Sequence, residues 1–77
     1  MNIKVLGSGC VNCRTLFKRT ERAVKELNLN ITVEKVEDIM KIMEYKVIST
    51  PALAINDEVV VSGRVPKVEE IKQLLTT

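Results

Sequence analysis

Ile3-Lys4-Val5-Leu6-Gly7-Ser8-Gly9-Cys10-Val11-Asn12-Cys13 is the stretch on which the reading of this chain turns. A short apolar run is broken by glycines and leads into two thiols, which stand where a long amphipathic helix begins. Gly7-Ser8-Gly9 permits a sharp turn in which backbone can come close to a ligand. No cysteine other than these two occurs. At positions i and i+3 on a first helical turn the two sulfurs face one another, so they can close a small disulfide ring or hold one soft metal ion. Residue spacing alone leaves both chemistries open.

Downstream of Cys13, Leu16, Phe17, Thr20, Ala23, Val24 and Leu27 recur at three- and four-residue steps. Arg14, Lys18, Arg19, Glu21, Arg22, Lys25 and Glu26 occupy the other side, which predicts an amphipathic helix of about 16 residues ending near Asn28. Ile31-Thr32-Val33-Glu34 alternates apolar and polar, as a strand at a sheet edge or with one wet face does. Asp38 suits the cap of a shorter helix with Ile39, Ile42 and Met43 as its inner stripe. After Val47-Ile48-Ser49-Thr50-Pro51, the run Ala52-Leu53-Ala54-Ile55 is apolar throughout, the mark of a strand covered on both faces. Asn56-Asp57 predicts a hairpin turn into Val59-Val60-Val61. Gly63-Arg64-Val65-Pro66 punctuates the chain again, and Val68, Ile71, Leu74 and Leu75 line a final helix.

The 77 residues suffice for one domain spanning 1–77, with 45% hydrophobic content for its core. One Tyr and one Phe supply no stacking platform for single-stranded nucleic acid, and 12 basic against 10 acidic residues are interspersed instead of blocked. Nucleic-acid binding is therefore not expected. The chain opens on its first strand without a basic-then-apolar leader, and no apolar run approaches the roughly 20 residues of a membrane span. A soluble cytoplasmic protein is expected, in which a CxxC pair is catalytic or metal-binding before it is a structural staple.

The order βαβαββα predicts an α/β fold with a four-stranded mixed sheet flanked by three helices. Its first two strands are parallel through a crossover helix and its last two antiparallel. The CxxC falls just past the carboxyl end of the first strand, where open α/β sheets place reactive groups. GSGCVNC after that strand, ISTPAL before a hairpin and a Gly-Arg turn before the last helix together resemble the thioredoxin and glutaredoxin superfamily, over essentially the whole chain. The likeness is greatest to the small, glutaredoxin-sized thioredoxins known as redox-active disulfide proteins. It implies a thiol–disulfide oxidoreductase with Cys10 as exposed nucleophile and Cys13 as buried resolving thiol. A helix N-terminus favours a thiolate, and CxxC thiols lie at about pKa 3.5 to 7.5 against about 8.5 for a free one. Thr50-Pro51 matches the superfamily's cis-proline, whose backbone pairs with an extended substrate segment. The same resemblance implies that Gly63 and Arg64, in the turn before the last helix, bind substrate. Disulfide-containing protein substrates and an upstream reductase or low-molecular-weight thiol are the implied partners. No metal or organic cofactor is needed.

Several positions depart from the superfamily pattern. Val11-Asn12 replaces the Gly-Pro of thioredoxins and the Pro-Tyr of many glutaredoxins, and no tryptophan precedes Cys10, so a redox potential does not transfer. The first strand carries no acidic residue to act as a buried proton acceptor. Arg64, Val65 and Pro66 stand where glutaredoxins hold glutathione with an acidic pair. Arg14, Lys18 and Arg64 read either as a basic rim round the thiols or as solvated charge. Met40 and Met43 read as core filling before a copper site. The competing class is a heavy-metal-associated module, which also sets CxxC between its first strand and helix. It usually has Met two residues before the first Cys, where this chain has Ser8, and it ends on a strand instead of the helix expected here. Zinc is weaker still, since two thiolates without histidine fill half a tetrahedral site unless two chains share it.

Overall fold

The structure is a computed structural model describing residues 1–47 and 49–76. Ile48, on the approach to the proline, lies outside the described residues, as does Thr77. The elements run β1 Ile3–Leu6, α1 Val11–Glu26, β2 Val33–Val36, α2 Ile39–Glu44, β3 Ala52–Ile55, β4 Glu58–Ser62 and α3 Val68–Thr76. They form an α/β fold of the thioredoxin-like type, with one four-stranded sheet in the order β2-β1-β3-β4. β1 pairs parallel with β2 and antiparallel with β3, and β3 pairs antiparallel with β4. Among the described residues no helix is long and apolar enough to cross a membrane.

Strand alternation sorts the side chains onto two faces. Ile3, Val5, Val33, Leu53 and Val61 join Leu16, Ala23 and Val24 of α1 and Ile71 and Leu75 of α3 in one core. Leu6, Val36, Ala52 and Ala54 form a smaller core with Ile42 of α2 on the other face. Thr20 sits fully buried inside the first core because its hydroxyl donates to the Leu16 carbonyl of its own helix at 2.8 Å. α1 ends at Glu26 with Leu27 as its C-cap, and Asn28 just beyond has φ of 56°, a left-handed conformation that asparagine adopts more readily than most residues. In the hairpin both Asn56 and Asp57 have positive φ, as a two-residue type I′ turn requires.

Two expectations are corrected. β2 spans Val33–Val36 and not Ile31–Glu34, because the parallel register sets Val33 against Ile3 and Val36 against Leu6 and buries those two valines. α2 buries only Ile42, while Ile39, Met40 and Met43 are 63%, 72% and 64% exposed. A helix of six residues presents little more than one side chain to the sheet, so the two methionines fill no core.

Candidate active site

Cys10 is the N-cap of α1, with extended backbone, and it is disulfide-bonded to Cys13 across a Cα–Cα distance of 5.0 Å. Its sulfur accepts the Cys13 backbone N–H at 3.1 Å, the role that a Ser or Asp oxygen usually takes at a helix start. Donors left unpaired at a helix start and the positive end of its dipole act on whatever charge this sulfur carries. α1 has no acidic residue in its first turn to oppose that field. The two sulfurs differ in access: Cys10 is exposed, whereas Cys13 is 5% exposed and continues the buried stripe of Leu16, Thr20 and Ala23.

Gly7 explains how the pieces come together. Its N–H donates to the Val36 carbonyl at 3.0 Å, fixing the end of β1 to the end of β2. A Cβ on Gly7 would overlap the Cys13 sulfur, lie 3.1 Å from the Cys13 Cβ and lie 3.9 Å from the Pro51 Cα. The residue is thus the bare patch of backbone between the disulfide and the proline turn. Sequence reasoning assigned it to a sharp turn and missed this packing role. Its position directly after an apolar strand was the available signal.

The Thr50-Pro51 bond is cis, with Thr50 exposed and Pro51 buried. The Pro51 carbonyl accepts the Gly63 N–H at 2.9 Å, which brings the β4–α3 turn against the proline. Gly63 has φ of +77°, and a Cβ there would stand 3.1 Å from the Ser49 Cβ, so its lack of a side chain is used twice. Arg19 of α1 holds the following segment by donating to the Pro66 carbonyl at 3.2 Å. Arg64 forks onto both carboxylate oxygens of Glu70. That pairing raises the Arg64 pKa and holds the Glu70 carboxyl below the usual carboxylate range, so the Arg64 charge is largely matched by its neighbour.

On the far side of the thiols, the Glu37 carboxylate reaches Gly9. Its Oε2 is 3.4 Å from where a Cβ on Gly9 would sit, and Gly9 has φ of +76°. No local sequence signal marks this contact, which joins the end of β2 to the loop before Cys10. A groove of about 400 Å³ between β2 and α2 has Lys4, Glu34, Lys35, Glu37, Lys41 and Tyr45 among its lining residues, and neither cysteine lines it.

Comparison with known proteins agrees with this geometry. Residues 1–76 match the family model described as Thioredoxin domain. A protein of Methanothermobacter thermautotrophicus named Thioredoxin is 40% identical over 76 residues, which cover 99% of this chain and 99% of that one. Another of Methanocaldococcus jannaschii, also named Thioredoxin, is 38% identical over 73 residues, covering 95% of this chain and 84% of the other. The likeness runs through sheet and helices alike, well beyond the bonded cysteines. A thiol–disulfide oxidoreductase by fold, relatives and paired cysteines, the chain belongs to the thioredoxin domain family.

Proposed function

We propose that Cys10 is the attacking thiolate and Cys13 the resolving thiol in the two-electron reduction of protein disulfides. The observation that carries this assignment is the asymmetry of the pair, with Cys10 exposed and its sulfur accepting an N–H at the start of α1 while Cys13 is buried. In the reduced protein the Cys10 thiolate attacks one sulfur of the substrate disulfide, forming a mixed disulfide and expelling the other sulfur as a thiolate that takes up a proton. Cys13 then loses its proton and attacks the Cys10 sulfur. The Cys10–Cys13 disulfide forms as the second substrate sulfur leaves, so the substrate gains two electrons and two protons and the CxxC pair loses them. An upstream reductase or a low-molecular-weight thiol returns the pair to the dithiol.

In this reading Thr50 and Pro51 offer backbone to an extended substrate segment, Gly63 braces that turn through its bond to Pro51, and Arg64 flanks the segment. Residues 1–77 act as a single cytoplasmic domain. The metal-chelate alternative is not favoured, because β4 is followed by the helix α3 and the chain's family is that of thioredoxins.

The test is asymmetric. Cys10→Ser abolishes reduction of insulin disulfides, whereas Cys13→Ser accumulates a mixed disulfide through Cys10. Alkylation of Cys13 faster than Cys10 in the reduced protein at neutral pH would overturn the assignment.

A further inference from the structure

We infer that Glu37 makes this chain discriminate among disulfides by charge, favouring those with a cationic group next to the reacting sulfurs. The inference rests on Cys10 being the attacking sulfur. Glu37 follows Val36, whose carbonyl accepts the Gly7 N–H at 3.0 Å, so the backbone that carries the carboxylate is tied to the backbone that carries the thiols. From there Oε2 reaches to within 3.4 Å of the Gly9 Cβ position, and Gly9 is the residue bonded to Cys10. The absence of a side chain at Gly9 keeps that approach open, and its φ of +76° disfavours replacement by other residues.

Lys35 and Lys41 line the same groove as Glu37 without an ion pair to it, and the other acidic groups near the site are engaged. Asp38 caps α2 by accepting the Met40 N–H at 2.9 Å. Glu70 is paired with Arg64, and Glu26 with Arg22 and Lys72. Glu37 has no hydrogen bond or ion pair among the described residues. Arg14, one turn into α1, supplies positive charge from the helix side. A substrate approaching from the β2 side therefore meets a carboxylate that no ion pair or hydrogen bond among the described residues holds. Across several ångströms of water a single charge pair changes an encounter by a factor of about two to three. Replacing a dication with a dianion compounds that to about fivefold.

The full chain, reduced, is tested with two small disulfides of similar size, cystamine as the dication and 3,3′-dithiodipropionate as the dianion. The quantity read is the ratio of their second-order reduction rates, wild type against variant, so intrinsic differences between the two reagents cancel. Glu37→Gln is expected to lower the cystamine-to-dithiodipropionate ratio about fivefold, and Glu37→Lys to lower it further. Both differences should shrink in 1 M salt, where screening is nearly complete over a few ångströms. Glu37 is exposed, so a purely structural effect would slow both reagents together and leave the ratio unchanged. An unchanged ratio with intact rates overturns this inference alone. Failure of the wild type to reduce either reagent overturns the exchange reading and this inference with it.

Discussion

The two faces of the sheet are built to different strengths. One is covered by α1 and α3, of 16 and 9 residues, whose buried side chains interlock with Ile3, Val5, Leu53 and Val61. The other is covered by α2, of 6 residues, which contributes Ile42 and turns Ile39, Met40 and Met43 outward. A helix that short is not stable from its own hydrogen bonds, so it depends on what its ends touch. Here Tyr45, the C-cap of α2, accepts from the Lys4 ammonium at 3.0 Å and donates to Asp57 at 3.0 Å, joining the helix to the central strand and the hairpin. Apolar burial therefore holds the face that carries the cysteine helix, and a polar tie supplements one isoleucine on the face beside Glu37 and the proline approach. The difference suits an enzyme whose paired thiols are held firmly on one face while the thinner face is freer to move.

If that contrast is real, equal truncations will not cost the same. Leu16 is fully buried between α1 and the sheet, and Leu16→Ala is expected to destabilise by about 4 kcal/mol through lost transfer free energy plus an unfilled cavity. Ile42→Ala, at a more open site that can relax, is expected to cost about 2 kcal/mol. Urea unfolding of the two variants decides the matter, and equal losses would show that α2 is packed as firmly as α1.

The same contrast explains what the sequence could and could not disclose. α1 and α3 were legible because a deep, continuous core imposes its period over several turns, as Leu16, Thr20, Ala23 and Ile71 show. β3 was legible because both of its faces are covered. On the thinner side the pattern misled. Met40 and Met43 look like core residues by type, yet a helix of fewer than two turns directs only Ile42 inward. β2 is an edge strand whose span follows its pairing with β1 more than its own alternation, hence the two-residue shift. In the site, the CxxC and Thr50-Pro51 were visible as motifs. The contacts of Gly7 with Cys13, of Gly63 with Pro51 and of Glu37 with Gly9 were not, since each joins segments distant in sequence and leaves no periodic trace.

A smaller effect sharpens the role of the polar tie. Tyr45→Phe keeps the ring and its packing but removes the oxygen that links Lys4 to Asp57. The expected loss is less than that of Ile42→Ala, and it should localise. Amide exchange should quicken in α2 and the hairpin while α1 and α3 keep their protection, as expected where a sheet face opens in separate units. Uniform acceleration across all three helices would mean that the tie supports the whole fold.

The smallest effect separates the faces by pH. Across the α1–α3 seam, Glu26 accepts from Arg22 at 2.8 Å and from Lys72 of α3 at 3.1 Å, and these bonds hold its carboxyl below the usual carboxylate range. The unfolded chain then binds a proton more readily than the folded one. The contribution is therefore complete above the unfolded value of about 4.3 and fades as pH falls through the folded one. Lys4 on the other face behaves in reverse. Its hydrogen bond to Tyr45, helped by the nearby Asp57 and Glu34 charges, raises its pKa, so its contribution is complete below the unfolded value of about 10.4 and fades as pH rises through the folded one. Thermal midpoints followed across pH should thus show Glu26→Gln converging on the wild type only in acid, and Tyr45→Phe converging only in alkali. Convergence of both variants at the same end of the pH range would show that the two faces are not held by separate sets of charges.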